Sequence, residues 1–235
     1  MAVAVDLREA VSLAGRFPLL SGLTLTVEEG EVVHLHGPNG AGKTSLLRLC
    51  AGLLRVTSGS ASVLGHDLAV DRRALRREVH LLGHSSFLYD DLTVEANVRF
   101  AVRAGRADEA RVGPSLERLG LGGRLRQTRA GALSQGQRRR CNLAVLLARS
   151  PRLWLLDEPH AGIDEEGRAL VDELVAEARA VGSSVLFSSH ELARAGALAD
   201  RSVCLAGGRT LPEAPEAPHA VAAPDYREQA GADVA

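Results

Sequence analysis

Lysine is almost missing from this chain: of 28 basic side chains Lys43 is the one lysine, and every other is arginine. Aromatic residues make up only 3% of the sequence, and the three cysteines (Cys50, Cys141, Cys204) stand too far apart for metal-type spacing. Their apolar neighbours mark them as buried, reduced thiols. No apolar run approaches the ~20 residues needed to cross a bilayer. The best, Leu143 to Ala148 and Leu153 to Leu156, are short. The N-terminus lacks the basic stretch and apolar segment of an export signal, so the chain is expected in the cytosol, serving a membrane only from its surface. Net charge is −1 with a pI near 6.7. No global positive field recruits nucleic acid, which is excluded as an expected partner, although a local run at Arg138, Arg139 and Arg140 remains. With 46% hydrophobic residues in 235, the composition is that of one folded domain, or a domain with a subdomain.

The pattern along the chain is α/β. Val3 to Leu7, Leu23 to Val27 and Val32 to Leu35 read as strands, with a turn at Glu29-Gly30. The third strand runs into a glycine loop, and Thr44 to Leu54 follows with helical apolar spacing. From about Val79 the pattern turns mainly helical, with helices expected at Val94 to Arg103, Asp108 to Leu119 and Gln135 to Arg149. Strand patterns return at Leu153 to Leu156, Val185 to Ser188 and Ser202 to Leu205, alternating with helices at Gly167 to Ala180 and Glu191 to Leu198. The simplest organisation is an α/β domain over residues 1–206 carrying a helical insertion at about 84–149. After Gly207 the Ala, Pro and Glu-rich stretch has no periodicity, and 207–235 reads as a flexible tail.

Four stretches carry chemistry. Gly37-Pro38-Asn39-Gly40-Ala41-Gly42-Lys43-Thr44, followed by Ser45, is a glycine-rich phosphate loop set between a strand and a helix. Backbone N–H groups from Asn39 to Thr44 can line phosphates at the helix start. Lys43 brings a point-like ammonium where a planar guanidinium is too wide, and the Thr44 hydroxyl suits magnesium. Leu153 to Glu158 is an apolar strand ending in two carboxylates. Asp157 can stand near the Mg²⁺ of a bound nucleoside triphosphate, and Glu158 beside an attacking water. Leu133-Ser134-Gln135-Gly136-Gln137 opens a helix: Ser134 can cap it, and Gly136 lets backbone N–H groups approach an anion. Ser189-His190 follows the strand at Val185 to Ser188.

The order of these motifs resembles that of the ATP-binding-cassette (ABC) ATPases: Gly37 to Thr44, L-S-Q-G-Q, L-W-L-L-D-E-P, Ala161-Gly162-Ile163-Asp164, then Ser189-His190. The resemblance covers about residues 3–206. It implies a P-loop NTPase of the ABC ATPase fold, with a RecA-like core, an antiparallel β edge and a helical subdomain. ATP and Mg²⁺ are the implied cofactors, with Thr44 and Asp157 at the metal. A head-to-tail homodimer is also implied, each ATP lying between one subunit's phosphate loop and the other's Ser134, Gly136 and Gln137. On the same footing Glu158 is the general base or water-orienting residue, His190 a switch at the γ-phosphate, and Asp164 part of the loop at the dimer seam. His34, His36, His66, His80, His160 and His219 receive no role.

Two positions depart from the family pattern. The usual glutamine after the strand near Val79 to Leu82 is replaced; counting back from Leu92-Thr93 brings either His84 or Ser85 to it. The adenine-stacking aromatic is also unsettled, since Phe17, the one nearby aromatic, is as well suited to packing under the sheet. A single cassette without a membrane segment resembles the separate ATPase subunit of a transporter, partnered by integral membrane subunits at the cytoplasmic side of a bacterial plasma membrane. Within that group Gly83 to Val98 (G-H-S-S-F-L-Y-D-D-L-T-V-E-A-N-V) resembles the haem exporter ATPase of cytochrome c maturation, which implies haem as cargo. An exporter of drugs or lipids is the alternative. The stretch between Lys43 and Ser134 is too short for the coiled coil of a chromosome-associated cassette protein, and a translation-associated one would carry two cassettes.

Overall fold

The computed structural model describes residues 2–83 and 87–211. It is an α/β fold with two sheets. Strands β1 (Val3–Ala14), β2 (Phe17–Glu28), β4 (Ser58–Val63) and β5 (His66–Asp67) form an antiparallel sheet in the order β2-β1-β4-β5. Strands β3 (Val32–His36), β6 (Val79–Leu82), β7 (Leu153–Asp157), β8 (Ser184–Ser188), β9 (Arg201–Ala206) and β10 (Arg209–Thr210) form a second in the order β10-β9-β3-β8-β7-β6, parallel except for β10. The helices are α1 (Lys43–Cys50), α2 (Val94–Gly105), α3 (Val112–Arg118), α4 (Gln135–Arg149), α5 (Glu165–Ala180) and α6 (Leu192–Leu198).

A parallel strand covered on both faces must be apolar at every position, while its side chains still alternate between faces. Strand β7 does this: Leu153 and Leu155 join the core formed with α1 and the antiparallel sheet. Trp154 and Leu156 join the core under α2, α3, α4 and α5. In β8, Leu186 and the pair Val185 and Phe187 divide in the same way. The two sheets therefore hold α1 and the glycine loop between them, and the helical region packs on the opposite face.

Several element boundaries differ from the expected ones. Strands β1 and β2 are much longer, because the register shifts between Leu7 and Ala10, with Glu9 at φ +49°, and so break the period-two alternation that marks a strand. Strand β4 was not anticipated: Ser58, Gly59, Ser60 and Ser62 look like a loop, and pairing with β1 makes them a strand. The helix expected over Asp108 to Leu119 begins as a 3₁₀ turn (Glu109–Arg111) before α3. Residues 207–211, placed with the tail on sequence grounds, complete the β9–β10 hairpin. The remainder of the tail, His219 included, and His84 and Ser85, on which the missing-glutamine expectation falls, lie outside the described residues. Phe17 does not pack under the sheet; it is 78% exposed. Cys50 and Cys141 are buried, which pushes each thiol up to about 12, whereas Cys204 is only partly buried.

Candidate nucleotide site

The carboxyl ends of β3, β7 and β8 set the site. Leu35 and Asp157 both lie beside Ser188 in the ladder, so the phosphate loop, the acidic pair and the Ser189-His190 turn leave the sheet side by side. A cavity of about 420 Å³ opens there. Asn39, Gly40, Ala41, Gly42, Lys43, Thr44 and Ser45 line it with Asp157, Glu158, His190, Pro18 and Leu19. Gly37 and Pro38 hold the Lys43 side chain through their carbonyls, which accept hydrogen bonds from Lys43 Nζ at 2.7 and 3.3 Å. Gly37 must be glycine: at φ +140° a Cβ would stand 2.1 Å from the Leu205 carbonyl oxygen.

Asp157 is buried and held from two sides. Thr44 Oγ1 donates to Oδ2 at 2.9 Å, and Ser188 Oγ donates to Oδ1 at 2.8 Å. Ser188 Oγ also accepts from Glu158 N at 3.1 Å. Glu158 has φ +50°, a left-handed backbone that a non-glycine residue adopts only under strain. That turn swings its carboxylate from the strand into the cavity. His190 Nε2 stands 3.2 Å from Glu158 Oε1 in an ion-pair contact that lacks hydrogen-bond alignment, so Oε1 is a buried acceptor with no hydrogen-bond partner.

Ser134, Gly136 and Gln137 do not reach this cavity. They line a second one of about 330 Å³ with Gly162, Ile163 and Asp164. Ser134 caps α4 in a reciprocal box, with Gln137 N donating to Ser134 Oγ at 3.2 Å and Ser134 N donating to Gln137 Oε1 at 3.0 Å. A Cβ at Gly136 would meet nothing within 4 Å, so the fold of this chain alone does not demand glycine there. Asp164 caps α5 through Gly167 N at 2.9 Å.

Three contributors escaped the sequence reading. Ser188 orients both carboxylate residues; the polar end of an apolar strand was its only signal. Arg139 donates to the carbonyls of Gly83 at 2.8 Å and Glu158 at 2.7 Å, clamping α4 to the acidic turn. Burial lowers its pKa against the opposing pull of Asp157 and Glu158. With Arg138 against Asp90 and Arg140 near Asp164, the three arginines are internal ties and not a free basic patch. Pro18 and Leu19 are the third contribution, carried to the cavity by the unanticipated start of β2. Of the histidines left without a role, His34 is buried, between Ser202 Oγ and the Ser189 carbonyl, each at 3.1 Å.

The fold and the cavity define a P-loop nucleotide-binding cassette: a phosphate loop opening α1, and carboxylates at the end of the adjacent parallel sheet. The pattern of the ABC transporter family matches residues 20–161. The cytochrome c biogenesis ATP-binding export protein CcmA of Paramagnetospirillum magneticum is 41% identical over 73% of this chain and 81% of that protein. The daunorubicin resistance ATP-binding protein DrrA3 of Streptomyces coeruleorubidus is 38% identical over 83% of this chain and 62% of its own length. The mouse ATP-binding cassette sub-family A member 7 is 38% identical, but the chain spans only 9% of it. The solved structure of an ATP-binding subunit of an ABC transporter is 28% identical, has a TM-score of 0.82 and covers 88% of each chain. The chain belongs to the ABC transporter family, as its ATP-binding and ATP-hydrolysing kind of subunit.

Proposed function

We propose that this chain is the ATPase of a haem exporter serving cytochrome c maturation, acting as a homodimer beneath integral membrane subunits on the cytoplasmic face of a bacterial plasma membrane. The observation that carries the dimer is the separation of two half-sites: the phosphate loop lines one cavity, and Ser134, Gly136 and Gln137 line another. Each half lacks what the other offers, and a head-to-tail pair completes both. The haem assignment is supported by the likeness to CcmA over most of both chains and by the Gly83-His84 segment. The likeness to DrrA3 keeps a drug exporter as the second reading.

In this reading Lys43 exchanges the Gly37 and Pro38 carbonyls for phosphate oxygens, and the Asn39 to Thr44 N–H groups hold the remaining charge at the start of α1. Ser45 closes the loop beside them. Thr44 Oγ1 and Asp157 offer hard oxygen donors of the type Mg²⁺ selects. No group of three or more His, Cys, Asp or Glu side chains among the described residues could hold a metal, so the cation would be shared with the phosphates. Bound there, Mg²⁺ would neutralise charge on the phosphate oxygens. Glu158 accepts a proton from, or orients, the attacking water with its unpartnered Oε1, and His190 stands beside it to meet the γ-phosphate. Phe17, exposed next to Pro18, is free to cover the base.

The membrane partner docks beside Gly83 to Asp91. Deleting the gene should leave c-type cytochromes without covalent haem while b-type cytochromes persist on haem-stained gels. Normal c-type cytochromes in the deletion strain would overturn the haem assignment.

A further inference from the structure

His34 interrupts the apolar run of β3, between Val33 and Leu35, and is only 1% exposed. A polar ring in a strand covered on both faces needs partners for its nitrogens. Both nitrogens have one. Nε2 stands 3.1 Å from the Ser189 carbonyl oxygen, and Nδ1 stands 3.1 Å from Ser202 Oγ. A carbonyl can only accept, so the ring carries its proton on Nε2, and Nδ1 accepts from the Ser202 hydroxyl. Burial lowers the pKa of the ring and keeps it neutral, against the opposing pull of the Ser189 carbonyl, and nearby His36 and Lys43 lower it further. Phe187, its ladder neighbour on β8, lies against the ring with centroids 5.2 Å apart.

The oxygen that His34 holds belongs to the peptide unit joining Ser189 to His190, so it lies in one rigid plane with the His190 nitrogen. His190 depends on that plane. Its side chain is 58% exposed, and among the described residues its ring makes no hydrogen bond, only the 3.2 Å ion-pair contact with Glu158. The stretch that follows is fastened to β3 at both ends. Ser189 is held by His34, and at the far end Asp200 Oδ2 accepts from Val32 N at 2.9 Å while Asp200 N donates to the Val32 carbonyl at 2.8 Å. Between them Ser189 Oγ accepts from Glu191 N at 3.1 Å, and α6 begins. Strand β3 ends at His36, where the phosphate loop starts. The strand that delivers the phosphate loop therefore also fixes the histidine turn.

We infer that His34 is a positioning residue for His190: its Nε2–H holds the Ser189–His190 peptide plane and so sets where the His190 ring stands over the phosphates. This rests on the reading of His190 as the group that meets the γ-phosphate, and adds what fixes it there. A peptide plane free to tilt would let the exposed ring swing, and a misplacement of ~1 Å can lower a rate about a hundredfold.

The test follows ATP hydrolysis by the full-length chain. His190→Ala should first lower kcat by roughly a hundredfold, the effect of removing a group aimed at developing charge. A rate near wild type would dismiss the reading of His190 and this inference with it. Given that loss, His34→Gln and His34→Asn are compared. The Gln amide reaches the place of Nε2 and can donate to the Ser189 carbonyl, whereas the Asn amide reaches only the place of Nδ1. kcat should stay within about threefold of wild type in His34→Gln and fall roughly tenfold or more in His34→Asn, with ATP affinity unchanged in both. Equal rates in the two variants, or a loss of affinity at unchanged kcat, would overturn the inference. In the His190→Ala background, His34→Asn should lower the residual single-turnover rate by less than about twofold, because no ring is left to place. The same loss in both backgrounds would make His34 a packing residue and overturn the inference while the role of His190 stands. If His34→Asn does not fold, a folded His34→Leu chain, which lacks the donor altogether, takes its place in both comparisons.

Discussion

Ser188→Ala removes a single oxygen from a fully buried position, and the geometry states what that oxygen does. It donates to Asp157 Oδ1 at 2.8 Å and accepts from Glu158 N at 3.1 Å. Losing a hydrogen bond to a charged group is worth ~1.5–3 kcal/mol, and a buried N–H left unpaired adds ~1–3 kcal/mol. The two terms share one atom and are not fully additive, and Asp157 keeps its bond from Thr44 at 2.9 Å. A net loss of ~2–4 kcal/mol is expected. Urea unfolding should show the midpoint falling at unchanged slope. Activity should fall further than stability alone accounts for, because both acidic residues lose an orienting contact. A double-mutant cycle with Asp157→Asn should give a coupling of ~1 kcal/mol or more. A stability loss below ~0.5 kcal/mol, typical of a surface substitution, would refute the idea that Ser188 organises the acidic pair.

Lys43→Arg keeps charge without shape and should abolish ATP binding, measured by nucleotide fluorescence titration, nearly as fully as Lys43→Ala; hydrolysis near the wild-type rate would dismiss the point-charge argument. Mixing a Ser134→Arg chain with a Lys43→Ala chain should restore one composite site in two, read as ATP crosslinking that neither variant gives alone, and no recovery would assign the Ser134 segment to its own subunit. His80 is held by its packing, and by the adjoining Arg149 cation, at a pKa of about 3. Its neutral form belongs to the folded state, so its contribution is complete above about pH 6.5. As pH falls from there toward about 3, stability should drop by up to ~1.4 kcal/mol per pH unit. The stability difference between wild type and His80→Asn should shift steadily as acid is added, and a constant difference would refute the assignment.

The phosphate loop, the acidic pair and the capped L-S-Q-G-Q helix were legible because each is a local device. A strand, a turn and a helix start within a few residues of one another, and their spacing is fixed by backbone geometry. The apolar runs of β3, β7 and β8 announced strands for the same reason, and the structure pairs them in parallel. Strand β4 and the far halves of β1 and β2 were not legible. Their residues are small, polar or bulged, and only pairing across long sequence separations makes them strands.

By itself, then, the sequence determined which chemistry the chain carries, since residue type and short-range spacing decide what can bind phosphate or accept a proton. Only the tertiary structure decided which groups meet. It brought Ser188 under Asp157 through ladder register and turned Glu158 into the cavity through a strained φ. It also set Ser134 and Lys43 in separate cavities. The physical reason is that contact and desolvation depend on distance through space, which chain order does not encode until the sheets and helices have packed.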